Sequence, residues 1–185
     1  IIGSISKSFT AAAIMQLVEQ GRVELTTPIS DYLPGIDPDI KTTVKQLLNQ
    51  TSGIETYNTL ENYQTSATPT DFQYANTNYA LLGQIIENVS GLEYSTYIQT
   101  NIFDPLGMSR SFTSLEKARA NSLVPGYRNY LGAMVEQAVD YPTNNTTGWI
   151  TIPAGYIISS TNDMGRYLQM YLNQGENILA SGSYE

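Results

Sequence analysis

Ile1–Gly21 reads IIGSISKSFTAAAIMQLVEQG, and its middle decides how the rest is arranged. From Phe9 to Val18 the residues are apolar almost all round, with Phe9, Ala11, Ala12, Ala13, Ile14, Met15, Leu17 and Val18. A helix without a polar face is normally buried between other elements. Gly21 stands where a helix C-terminus wants a left-handed residue. Ser4 and Lys7 lie at the entrance of this core helix, three residues apart and therefore on one face. Burial disfavours the charged form of an amine. A serine beside a lysine able to give up its proton is a nucleophile beside its base.

The same short pattern recurs at Ser114-Leu115-Glu116-Lys117, among charged neighbours that mark a solvated helix start, so Ser-x-x-Lys carries little by itself. Ser4 or Ser6 could equally cap the helix, with Lys7 snorkelling outward. Tyr-x-Asn is as common here: Tyr74-Ala75-Asn76, Tyr127-Arg128-Asn129 and Tyr171-Leu172-Asn173. Tyr74-Ala75-Asn76 alone stands where a loop feeds a helix N-terminus, a place from which side chains can project into a cleft. Even there, Asn76 could simply be the cap.

Composition narrows the chemistry. The 185 residues contain neither Cys nor His, so thiol nucleophiles, disulfides, His-ligated zinc and a Ser-His-Asp relay are excluded for this chain. Acid–base work must fall to Lys, Tyr, Asp or Glu. A net charge of −8 argues against nucleic acid as partner. No run of apolar residues is long enough to span a membrane. No cofactor or metal is implied. The chain starts directly on the core helix without an initiator Met, which reads as an internal fragment of a longer protein.

Downstream, Thr26-Thr27-Pro28 predicts a short helix closed by Leu33-Pro34-Gly35, and Thr42-Thr43 caps another over Val44–Asn49. Residues 54–71 read as a long polar surface excursion. Phe72–Tyr74 should be extended, followed by a helix capped by Asn76 or Thr77, with Tyr79, Leu82, Ile86 and Val89 on one stripe and Gly91 at its end. A helix over Tyr94–Ile102 runs into Asp104-Pro105-Leu106-Gly107. Thr113 and Glu116 have capping-box spacing. Val124–Tyr127 suggests a strand, and residues 128–150 give no assignment. After an extended Tyr156–Ser159, a helix over Asn162–Asn173 carries the stripe Met164, Tyr167, Leu168 and Tyr171.

Taken in order, the segments GSISKSFTAAAIMQLVEQGRVELTTPISDYLP, VKQLLNQTSGI, FQYANTNYALLGQIIENVSG and PAGYIISSTNDMGRYLQMYLNQG resemble the class C β-lactamase and D-alanyl-D-alanine carboxypeptidase family of penicillin-recognising serine hydrolases. The resemblance implies an α+β fold, helices packed on an antiparallel sheet plus a helical region, of which this chain is a mainly α-helical part. Residues 1–185 would be one such domain, incomplete at both ends. It also implies roles: Ser4 as acylated nucleophile, Lys7 as the lysine one turn on, Tyr74 as proton shuttle, and Asn76 as hydrogen-bond partner of the substrate's acyl amide. The expected substrates are β-lactams, cell-wall peptides or esters, met outside the cytoplasm. An esterase or D-amino-acid peptidase using the same residues is the alternative, followed by a module that binds penicillin or cell-wall peptides without turnover.

Two departures stand out. The family's third motif, Lys or His followed by Thr or Ser and Gly, is not matched, since Thr51-Ser52-Gly53 and Thr146-Thr147-Gly148 lie in the wrong places. The chain alone is therefore expected to be inactive. Gln50 stands where many relatives have His, a change expected to affect catalysis little.

Overall fold

The computed structural model describes residues 1–54, 71–137 and 151–180. Its centre is α1 (Ser6–Glu19), entered through a 3-10 turn at Gly3–Ile5. Phe9, Ala13, Ile14 and Leu17 have no exposed surface, as a helix apolar all round requires. α2 (Val44–Leu48) is closed by a true capping box: Thr43 Oγ1 accepts from Gln46 N–H while Gln46 Oε1 accepts from Thr43 N–H. α3 (Asn76–Ser90) crosses α1 with Leu81, Leu82, Ile85 and Ile86 fully buried, and Gly91 ends it in the left-handed conformation.

α4 (Tyr94–Ile98) passes into a π-turn over Gln99–Phe103. α5 is Leu115–Ala120, β1 Gly126–Tyr130, β2 Ala133–Gln137, α6 Ile152–Gly155 and α7 Thr161–Leu172. Among the described residues the only sheet is the antiparallel β1–β2 hairpin, which is exposed along almost its whole length. α7 docks on α1 through Tyr167, whose ring stacks on Phe9 with centroids 3.7 Å apart.

Several sequence expectations are corrected. The helix expected after Pro28 is one 3-10 turn, Ile29–Asp31, because Leu33 and Pro34 follow too closely for a second turn. Ser114, not Thr113, caps α5 by accepting from Lys117 N–H. The strand expected over Val124–Tyr127 starts two residues later, and its partner lies within the stretch left unassigned. In α7 Leu168 faces outward, 59% exposed, while Met170 is buried. The excursion expected over 54–71 lies, except at its edges, outside the described residues.

Candidate active site

Gly3 has φ +57°, a left-handed turn open to glycine at little cost, and it sets Ser4 on the exposed rim of α1. One turn on, Lys7 is buried, with 7% of its surface exposed. Its Nζ donates to three oxygens from three elements: Ser4 Oγ at 3.2 Å, Asn76 Oδ1 at 2.7 Å and the Ala154 carbonyl at 2.5 Å. Three acceptors match the three donors of an ammonium group. Tyr74 completes the cluster. Its hydroxyl shares a 2.7 Å hydrogen bond with Ser4 Oγ, and Lys7 Nζ lies 4.8 Å from its ring centre.

Ser4, Lys7, Tyr74 and Asn76, separated by up to 72 positions in the chain, thus meet in one cluster. Asn76 is not the helix cap. Ala75 occupies that position without a side-chain bond, and the Asn76 amide oxygen is turned to Lys7 instead. By contrast, at the second Ser-x-x-Lys, Ser114 Oγ is engaged by the Lys117 backbone as an ordinary cap.

Burial pushes the Tyr74 phenol up, but hydrogen bonds with Lys7 and Ser4 and the charge of Lys7 outweigh it. The net effect is to hold Tyr74 below the usual tyrosine value of 10.0. Tyr79, on the first turn of α3, also lies near Lys7 with 5.6 Å from Nζ to its ring. Burial, then the neighbouring Tyr74 and Tyr171, push Tyr79 up to about 12. Two phenols beside one amine therefore shift in opposite directions.

Backbone and supporting groups were not visible in the sequence motifs. α1 grips the 153–157 segment at three successive points on one face. Ser6 Oγ accepts from Ile157 N–H at 3.1 Å, Lys7 holds the Ala154 carbonyl, and Thr10 Oγ1 donates to the Pro153 carbonyl at 2.9 Å. A carbonyl contributes no side-chain signal, so this wall of the site could not be read from residue types. Thr51-Ser52-Gly53 lies apart from the cluster: Ser52 Oγ is buried and donates to Asn78 Oδ1.

The family profile described as Beta-lactamase matches residues 1–184. Penicillin-binding protein 4 of Amycolatopsis lactamdurans is 30% identical over 195 residues, covering 94% of this chain and 50% of that protein. Protein flp of Staphylococcus aureus (strain NCTC 8325 / PS 47) is 31% identical over 196 residues, with 93% and 38% covered. Among solved structures, the octameric penicillin-binding protein homologue from Pyrococcus abyssi superposes with a TM-score of 0.83 at 33% identity, over 99% of this chain and 47% of that one. The D-amino acid amidase from Ochrobactrum anthropi SV3 superposes at 0.77 with 25% identity, over 99% and 57%. The chain spans about half, or less, of the length of the relatives it matches by sequence. With its matched profile running nearly from end to end and its fold shared with penicillin-binding proteins, the chain belongs to the Beta-lactamase family.

Proposed function

We propose that the intact protein is a serine hydrolase that works through a covalent acyl-enzyme on β-lactams or D-Ala-D-Ala-type peptides. The 2.7 Å bond between Ser4 Oγ and the Tyr74 hydroxyl, with Lys7 Nζ donating to the same serine, supports this reading most strongly. Tyr74, as phenolate, takes the Ser4 proton while Ser4 Oγ attacks the substrate carbonyl. The Ser4 backbone N–H, in the first turn leading into α1, supplies one donor to the resulting oxyanion. Collapse of the tetrahedral intermediate breaks the amide bond, and Tyr74 returns its proton to the leaving nitrogen. Water, deprotonated by the same phenolate, then attacks the ester on Ser4; collapse breaks the Ser4 Oγ–acyl bond and releases the acid, while Tyr74 returns the proton to Ser4 Oγ. Asn76, bound to Lys7 through its amide oxygen, turns its NH₂ toward the substrate's acyl amide.

Residues 1–185 then form part of one hydrolase domain, and the substrate's cell-wall chemistry fits a place outside the cytoplasm. Among the described residues no helix is long and apolar enough to cross a membrane. The second reading, a D-amino-acid amidase or esterase with the same residues, is favoured by the structural likeness to the Ochrobactrum amidase. Nitrocefin, a D-Ala-D-Ala peptide, a D-amino acid amide and a short-chain p-nitrophenyl ester separate these substrates by turnover. Ser4→Ala in the intact protein should abolish labelling by fluorescent penicillin and by a fluorophosphonate. Labelling that persists in this variant removes Ser4 as the nucleophile.

A further inference from the structure

Gln50 follows α2 in an unusual conformation. Its N–H bonds the Leu47 carbonyl and the next N–H, of Thr51, bonds the Gln46 carbonyl, which is the hydrogen-bond pair of a Schellman helix end. That motif places the residue after the cap in the left-handed region, where glycine is the usual occupant. Gln50 takes it at φ +59°, a conformation that is strained for an L residue. A buried side chain, 6% exposed, is held at this strained position.

What it touches lies on both sides of Tyr74. The Gln50 carbonyl accepts from Gln73 N–H at 2.8 Å, and its Oε1 accepts from Ala75 N–H at 2.9 Å. Oε1 takes a second bond, from Asn78 Nδ2 at 2.8 Å, and Asn78 is fixed in turn by Ser52. The residues before and after Tyr74 are therefore bound to one residue, while Tyr74 itself projects to Ser4. Gln50 Nε2 is buried with no hydrogen-bond partner among the described residues, so the oxygen is the working half of this amide.

We propose that Gln50 is the positioning residue for Tyr74, holding its loop so that the phenol meets Ser4. This rests on the reading of Tyr74 as proton shuttle, and it gives position 50 a part in catalysis, where the sequence expectation concerned only the exchange of His for Gln. Among the described residues, Lys7 from α1 and Tyr79 from α3 are the titratable groups facing Tyr74, and neither is bound by Gln50.

Gln50→Gly separates positioning from stability, because it removes the side chain while relieving the strained backbone. In the intact protein its acylation rate by fluorescent penicillin should fall about 10²-fold, the cost of a loosened reacting group, with the apparent binding constant unchanged. The pH at which acylation becomes half-maximal should move up, as Tyr74 leaves Lys7. Gln50→Glu keeps an acceptor oxygen and should recover the rate to within about tenfold of wild type. Gln50→Met, similar in length and unbranched but without the acceptor, repeats the test should the glycine variant not fold. Wild-type acylation in Gln50→Gly or Gln50→Met, beside a slow Tyr74→Phe, overturns the positioning role and leaves the phenol's role standing. Wild-type acylation in Tyr74→Phe itself removes the shuttle, and the positioning role with it.

Discussion

A buried amine with three oxygen acceptors does two things for its neighbours. It fixes Ser4, Asn76 and the Ala154 carbonyl in one orientation, and it supplies the positive charge that lowers the Tyr74 phenol. On the proposal that the Tyr74 phenolate is the working form, acylation by a penicillin should rise with pH and level off above a midpoint lower than the ordinary tyrosine value. Lys7→Met removes the charge at nearly constant length. Acylation near neutral pH should drop about 10²- to 10⁴-fold, the usual weight of a general base, and the midpoint should climb. Stopped-flow acylation across the pH range measures both, and an unmoved midpoint would show that Lys7 does not tune Tyr74. The sequence made Ser4 and Lys7 legible through spacing and an apolar helix. Spacing alone failed to separate them from Ser114 and Lys117. The surroundings did, because one pair opens a buried helix and the other a solvated one. Asn76 and Gln50 were less legible, since an amide can cap, bridge or bind and its type does not say which.

At the scale of elements, the lysine's position depends on how closely α6 approaches α3. Gly83 of α3 makes that approach possible: a Cβ there would lie 2.4 Å from Cγ of Pro153, inside any real contact. The proline ring has no rotamer by which to yield, so α6 itself must move. Gly83→Ala should therefore destabilise the intact protein by about 1–3 kcal/mol, as overpacking does, despite alanine's better helix propensity. It should also slow acylation, because the Ala154 carbonyl that Lys7 grips rides on α6. Thermal melting and penicillin labelling of the same variant check the pair, and a gain in stability would contradict the packing. α1, α3 and α7 were legible from apolar periodicity and their end signals. The hairpin was not. Its turn is Leu131-Gly132, with both residues at positive φ, where Asn-Gly would have announced it. The turn is braced instead by Asn129 Oδ1, which accepts from Gly132 N–H. Its strands also lack the one-sided alternation of a half-buried sheet, because almost every residue is exposed.

Across the whole molecule, 14 tyrosines stand in a chain that has neither histidine nor cysteine. Tyr74 is drawn down by Lys7 and Ser4 against its burial, while burial raises Tyr79, Tyr94, Tyr97 and Tyr167 at the packing faces of α3, α4 and α7. Tyr94 shows the type: its hydroxyl is sealed in the core against Thr10 Oγ1 at 2.7 Å, a place with no room for a phenolate. Such groups keep their protons in the folded state after the unfolded chain has lost them. Their contribution is complete below the unfolded value of about 10 and is lost as pH rises through the folded values, about 12 for Tyr79. Within that window each protected phenol should cost stability at up to about 1.4 kcal/mol per pH unit. Denaturant midpoints of the intact protein should therefore be flat near neutrality and fall steeply above about pH 10. Tyr79→Phe should flatten the fall, since a phenyl ring has no proton to lose on unfolding. A midpoint that stays level to the alkaline end would mean that these hydroxyls reach water in the folded protein.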